Sequence, residues 1–286
     1  ANVEVDMYEN ARAQIGINPF DFTWLLKSKE EFTAPEAVLV YSNEGLTGMS
    51  HIYNCLYGKR LCKGKYRDEV RPILINNWEA TYFDFNETSI KNIAKEASNL
   101  GMELFVLDDG WFGKRDDDNS SLGDWFVNEE KLKGGLNKLA TEINEMGLQF
   151  GLWFEPEMVS PISELYKEHP DWCIHIPGRN RSEARRQLIL DYSREDVCNY
   201  IIEKISEVLS SAPISYVKWD MNRNMSEIGS AKLPANRQRE VAHRYILGLY
   251  KVLEEITTRF PDVLFESCSG GGGRFDPGML YYMPQT

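Results

Sequence analysis

LeuPheValLeuAspAspGlyTrp, residues 104–111, places four apolar residues directly before two carboxylates, a glycine and an aromatic. A short apolar run of this kind reads as a strand covered on both faces, and the polar turn after it puts functional side chains at the strand's C-terminal end. The design recurs along the chain. IleLeuIle (73–75) precedes AsnAsnTrp, PheGlyLeuTrpPhe (150–154) precedes GluProGlu, and LeuIleLeu (188–190) precedes Asp191. TyrValLys (216–218) precedes TrpAspMetAsn, and LeuPheGlu (264–266) precedes SerCysSerGlyGlyGlyGly. Amphipathic stretches at 89–100, 136–146, 195–209 and 237–258 lie between these runs and read as helices. Strand and helix alternating in this way predict an α/β fold with a parallel sheet. Chemistry spread over several strand ends favours a (β/α)8 TIM barrel over a doubly wound sheet, which gathers it at one or two switch points. LeuTyrTyrMet (280–283) is a candidate seventh strand, so the barrel is expected to be incomplete in this chain, as part of a longer polypeptide.

The first 70 residues carry a different pattern. ArgAlaGlnIleGlyIle (12–17), PheAspPheThrTrpLeuLeu (20–26) and AlaValLeuValTyr (37–41) are short β-rich runs separated by turn signals at Asn18-Pro19 and Asn43 to Gly45. They predict the last strands of a β-sandwich. The expected organisation is therefore residues 1–70 as the C-terminal part of an N-terminal β-sandwich domain and residues 71–286 as the barrel.

Composition narrows the function. The 286 residues include 32 basic and 44 acidic side chains, a net charge of −12, which argues against nucleic acid as a partner. There is no apolar run near the roughly 18 residues a membrane span needs, and the first residues lack the basic-then-apolar pattern of an export signal. Five cysteines without CxxC spacing predict neither a disulfide framework nor a zinc site, and with the missing signal they point to the cytoplasm. The four histidines have no ligand spacing, so no metal is expected, and the glycine run at 270–273 lacks a phosphate-loop context, so no cofactor is expected.

The strand ends carry the candidate chemistry. Asp220 sits where a rigid strand would hold a carboxylate in the barrel mouth, as suits a nucleophile. Lys218, on the same face, could support its charge or bind substrate hydroxyls, and the two read equally well as a structural ion pair. Asp108 and Asp109 read as acceptors for vicinal sugar hydroxyls rather than as a helix cap, because Trp111 and Phe112 follow in place of a helical pattern. Trp78, Trp111, Trp125, Trp153 and Trp219 fall near strand ends, where aromatic faces pack against a pyranose ring. Cys268 and Gly270 could offer main-chain groups to a ligand. Arg185 and Arg186 read either as a surface pair or as site residues, and Glu155 with Glu157 either as a catalytic pair or as loop caps.

These residues lie in segments that resemble α-galactosidases of glycoside hydrolase family 36. The matching segments are ArgProIleLeuIleAsnAsnTrpGluAlaThrTyrPhe (71–83), LeuAspAspGlyTrpPhe (107–112), GlyLeuTrpPheGluProGluMetVal (151–159), ValLysTrpAspMetAsnArg (217–223) and GluSerCysSerGlyGlyGlyGlyArgPheAspProGlyMet (266–279). Residues 12–26 resemble the end of that family's β-sandwich. The resemblance implies retaining hydrolysis of terminal α-D-galactosyl residues, with Asp220 forming a covalent galactosyl-enzyme. It implies that Asp108 and Asp109 bind galactose O4 and O6, and that Trp78, Trp153, Arg185, Lys218, Asn222, Cys268 and Gly270 line the same pocket. It places the general acid/base after the MetProGlnThr segment (283–286), outside this chain, so the chain alone is expected to be catalytically deficient and poorly stable. The implied partners are galactosides, melibiose and raffinose-type oligosaccharides, and the implied assembly is a homo-oligomer, tetramers being common in the family. A raffinose-synthase type transferase, an α-N-acetylgalactosaminidase and a non-catalytic sugar-binding protein are the alternatives on the same fold.

Overall fold

The computed structural model describes residues 1–286. Strands β1 (Asn2–Val5) and β2 (Ala11–Gln14) form an antiparallel hairpin with Asn2 opposite Gln14. The segments 20–26 and 37–41, expected as strands, have no ladder partners in this chain, and residues 20 and 21 form a turn with Asp21 at φ 50°. The hairpin is the one sheet of this region, and the turn expected at 43–45 leads into helix α1 (Gly45–Leu56). Residues 20–32 are held by side chains instead. Phe22, Trp24 and Phe32 surround His243, and the Leu25 N–H donates to Glu240 Oε1 at 2.8 Å.

The βα repeat then begins. Strand β3 (Leu74–Asn76) leads through the single turn α2 (Trp78–Thr81) to α3 (Glu87–Asn99). Asn86 caps α3, its Oδ1 accepting from the N–H groups of Thr88 and Ser89 while Ser89 Oγ accepts from the Asn86 N–H. Next come β4 (Leu104–Leu107), α4 (Gly135–Glu145) and β5 (Gln149–Phe154), then the short elements β6 (Met158–Val159), α5 (Glu164–Glu168) and β7 (Leu188–Ile189). The chain continues through α6 (Glu195–Ser211), β8 (Tyr216–Trp219), α7 (Val241–Arg259), β9 (Leu264–Ser267) and α8 (Pro277–Tyr282). None of these helices is long and apolar enough to cross a membrane.

One parallel sheet of five strands organises these elements, in the order β3-β4-β5-β8-β9. Two expectations are corrected. LeuIleLeu (188–190) is not a barrel strand, because β7 pairs antiparallel with β6 in a separate ribbon, and β8 pairs directly with β5. LeuTyrTyrMet (280–283) is not a strand: Asp276 caps α8 by accepting from Gly278 and Met279, and Pro277 opens the helix.

The sheet obeys an alternation. Phe105, Leu107, Phe150, Leu152, Phe154, Val217, Trp219 and Phe265 join the large core between sheet and helices. The alternate residues Leu104, Val106, Tyr216 and Leu264 pack together on the opposite, concave face. Gly151 belongs to that inner face, since a Cβ there would meet Tyr216 Cβ at 2.9 Å and Val106 Cγ2 at 3.0 Å. The two outer edges of the sheet are drawn together near its last residues. Arg71, just before β3, donates to Gln285 Oε1 at 3.0 Å and to the Pro284 carbonyl at 2.9 Å, while the Ser267 N–H at the end of β9 donates to the Gln285 carbonyl. The result is a curled half-barrel.

Helix α7 packs so closely on the turn before α6 that Gly248 has no room for a side chain. A Cβ there would lie 1.8 Å from the Tyr192 carbonyl oxygen and 3.1 Å from Cys198 Sγ. Gly248→Ala is expected to destabilise the full-length protein by about 1–3 kcal/mol through displacement of α7. A denaturant midpoint equal to that of the parent would contradict this.

Candidate functional site

The inner-face alternation carries past the strand ends and there turns polar. Going up each strand, the inward column reads Leu74, Asn76; Leu104, Val106, Asp108; Gly151, Trp153, Glu155; Tyr216, Lys218, Asp220; and Leu264, Glu266, Cys268, with Trp78 following β3 at the start of α2. Apolar side chains thus fill the lower layer and the hydrogen-bonding groups stand above it, at the C-terminal end of a parallel sheet.

Asp220 is 5% exposed and its carboxylate is gripped from three sides. Trp153 Nε1 and Asn222 Nδ2 donate to Oδ2 at 3.1 and 2.8 Å, and the Met221 N–H donates to Oδ1 at 2.9 Å. Burial first, and the neighbouring Asp220 charge second, push the Cys268 thiol up to about 12, so it stays protonated near neutral pH. Lys218 does not pair with Asp220: its ammonium reaches across β5 to Asp108 Oδ2 at 2.8 Å. Burial favours the neutral amine, but the Asp108 carboxylate outweighs it and the Lys218 pKa lies above its ordinary value. Asp108 Oδ2 also accepts from Asn76 Nδ2 at 2.5 Å, and Asn76 Oδ1 accepts from the Trp78 N–H, which ties Trp78 to the same network.

Asp109 is held separately. Arg115 donates through Nε and Nη2 to its carboxylate at 3.0 and 2.8 Å, and both side chains are buried. Burial raises the Asp109 pKa, and Arg115 opposes the rise. Neither Asp108 nor Asp109 caps a helix, as their side-chain partners are Lys218, Asn76 and Arg115.

A cavity of about 340 Å³ opens beside this cluster, lined by Arg185, Asn222, Arg223, Ser269, Gly270 and Arg274 among others. Arg185 reaches its rim from a tight turn just before β7, where Arg185 and Arg186 both adopt positive φ between the bridged residues Ala184 and Gln187. Gly270 (φ 56°) and Gly271 (φ 94°) turn the opposite wall in a conformation that side chains disfavour. Asn222 joins the two groups, lining the cavity while its amide holds Asp220. The expected residues Asp108, Trp153, Lys218, Asp220, Asn222 and Cys268 therefore form one cluster with Trp78 attached, Asp109 sits against Arg115, and Arg185 and Gly270 stand across the cavity.

Three expected rim tryptophans belong elsewhere. Trp111, Trp125 and Trp219 are buried in the outer core, and the Nε1 groups of Trp111 and Trp219 are spent on the Trp153 carbonyl and Glu157. Glu155 and Glu157 are not a pair. Glu157 accepts from Trp219 Nε1, Tyr245 Oη and Arg274 Nη1, a buried structural node. Glu155 faces the other way and accepts from the Asn222 N–H at 2.5 Å. Burial first, then the Asp220 charge, push the Glu155 carboxyl up to about 8. Sequence reasoning misses Asn76, Arg115 and the role of Glu155. The signal available for two of them is the two-residue spacing that puts Asn76 on one face with Leu74, and Glu155 on one face with Trp153.

Comparison with known proteins agrees with this arrangement. The family model described as Melibiase matches residues 31–286. The chain is 70% identical, over its whole length, to α-galactosidase AgaA of Geobacillus stearothermophilus, of which it covers 39%. It is 52% identical to α-galactosidase Mel36A of Lactobacillus acidophilus, over 99% of this chain and 39% of that protein. The crystal structure of the Geobacillus AgaA, a GH36 α-galactosidase, superposes with a TM-score of 0.97 over 99% of this chain and 40% of that one. Variants of AgaA have been solved in complex with raffinose and with stachyose. The chain thus spans about two fifths of the length of the relatives it matches.

Proposed function

The chain belongs to the melibiase family, the α-galactosidases of glycoside hydrolase family 36, and from that premise we propose that it carries the nucleophile and galactose-reading part of a retaining α-galactosidase site. The observation that carries the reading is the Asp220 carboxylate at the end of β8, oriented by Trp153, Asn222 and the Met221 N–H beside an open cavity.

In this reading an Asp220 oxygen attacks the anomeric carbon as the bond from that carbon to the leaving oxygen breaks. The leaving oxygen takes a proton from a second carboxyl group. Water then attacks the same carbon, gives a proton back to that group, and releases Asp220 as a carboxylate. Asp108 and Asp109 accept hydrogen bonds from the axial O4 and from O6, with Lys218 and Arg115 offsetting their charge. Trp78 and Trp153 supply aromatic surface for the sugar, and Arg185, Cys268 and Gly270 complete the walls. Residues 71–286 form this chain's part of the catalytic barrel, since all five parallel strands lie there. The raffinose and stachyose complexes of AgaA support raffinose-type oligosaccharides as the substrate class.

The test is hydrolysis of matched aryl α-galactoside and α-glucoside by the full-length polypeptide. The two substrates differ only at C4, so the single hydrogen bond from the axial O4 to a charged group, about 1.5–3 kcal/mol, sets the expected galactoside preference at roughly 10–150-fold in kcat/KM. Equal rates on the two substrates would refute the assignment of Asp108 and Asp109.

A further inference from the structure

Glu155 is a carboxyl group of the strand-end cluster to which the mechanism above gives no task. It lies just beyond β5, continues the inward column of Gly151 and Trp153, and is 1% exposed. It does not line the cavity, and both its oxygens are engaged: Oε1 accepts from the Asn222 N–H at 2.5 Å and Oε2 from Gln187 Nε2 at 3.4 Å. With both oxygens spent on protein donors, it has no acceptor turned to a sugar. The residue it holds, Asn222, lines the cavity and donates its side-chain amide to Asp220 Oδ2 at 2.8 Å.

We infer that Glu155 is a positioning residue of this site, fixing the Asn222 peptide and, through it, the amide that aims the Asp220 carboxylate. The inference rests on the reading of Asp220 as nucleophile. Its physical basis is that the β5–β8 ladder ends with the Asp220 N–H on the Phe154 carbonyl: beyond it Ser269 Oγ holds the Met221 carbonyl and Arg223 holds the Ser182 and Gln187 carbonyls, and the Asn222 N–H between them takes its acceptor from Glu155. A glutamate at 155 supplies that acceptor from the rigid end of the neighbouring strand. The charged groups around it are Asp220 after β8 and Asp109 and Arg115 from the loop after β4. With burial and two nearby carboxylates acting together, Glu155 holds its proton up to about pH 8, and it serves as an acceptor without adding a further charge beside Asp220.

Position and charge are separated by two conservative variants of the full-length enzyme. Glu155→Gln keeps a carbonyl oxygen at the same reach and removes the ionisable group. Glu155→Asp keeps the ionisable group and withdraws it by one methylene. The expected result is a 10- to 100-fold lower kcat for Glu155→Asp with KM changed less than about 3-fold, and recovery to within about 5-fold of the parent kcat for Glu155→Gln. In an Asn222→Ala background the Glu155→Asp change should add less than about 2-fold, because the two residues act in series. The opposite order, with Glu155→Asp the more active, would overturn the inference, as would additive losses with Asn222→Ala or equal losses in both conservative variants. Running Asp220→Gly with azide in parallel keeps the two readings apart. Formation of β-galactosyl azide upholds Asp220 as nucleophile whatever the Glu155 variants do, and its absence condemns the nucleophile assignment itself.

Discussion

Asp220→Ala in the full-length enzyme is expected to lower kcat on an unactivated galactoside by roughly 10⁴–10⁶-fold, in line with removing a residue on which covalent chemistry depends. Trp153 and Asn222 lose only a shared acceptor, beside the open cavity, so the fold should survive. The space left by the carboxylate lies between Trp153 Nε1 and Asn222 Nδ2, two donors suited to a small anion. Azide should therefore enter that space, restore part of the rate on an aryl galactoside with a good leaving group, and give the β-galactosyl azide. A variant that keeps more than about 1% of the parent rate without azide would remove Asp220 from the mechanism.

The second large effect concerns stability. Arg115 and Asp109 form an ion pair with side-chain exposures of 3% and 9%, and Arg115 also donates to the Ser120 carbonyl at 2.8 Å. Arg115→Ala leaves a buried carboxylate alone, a change expected to cost about 3–5 kcal/mol. The pH dependence has a definite sign. Burial already raises the Asp109 pKa in the folded protein and Arg115 holds it down, so deleting Arg115 raises it further. A carboxyl whose folded pKa exceeds its unfolded value binds more protons when folded, and stability falls as pH rises between the two values. The deficit of Arg115→Ala relative to the parent should therefore be smaller near pH 5 than near pH 8. Thermal unfolding at the two pH values is the measurement. A deficit below about 1 kcal/mol, or one that grows on acidification, would contradict this account.

The five parallel strands are legible in the sequence because continuous apolar runs with polar ends are what burial on both faces demands. The same rule fails where an apolar run is short. LeuIleLeu (188–190) has the composition of a barrel strand, but it is buried by an antiparallel ribbon over the site, and composition does not reveal a partner's direction. The last apolar run is helical through Tyr282, and the cap residue Asp276 with Pro277 just before it is the local signal that outweighs its β-rich composition. Segments 20–26 and 37–41 have the residues of strands without neighbours to pair with. Within the site, Asp108, Lys218 and Asp220 are visible as strand-end charges, yet the choice of partner is not. Lys218 lies nearer in sequence to Asp220 and chooses Asp108 because the sheet curls, a property of the whole fold. Trp111, Trp125 and Trp219 point outward, since strand-end position alone does not tell which face a ring occupies.

The clasp between Arg71 and the segment at Pro284 and Gln285 bears on how the protein is made. Its partners are 213 and 214 residues apart. At roughly 5–20 residues per second, a ribosome needs about 10–40 s to deliver the second after the first. Throughout that interval the Arg71 guanidinium lacks its partners at Pro284 and Gln285, and non-local closure of this kind is slow for any chain. The curl that gathers the site is thus a late event of biosynthesis, and the growing chain is most in need of a chaperone's protection while that clasp is still open.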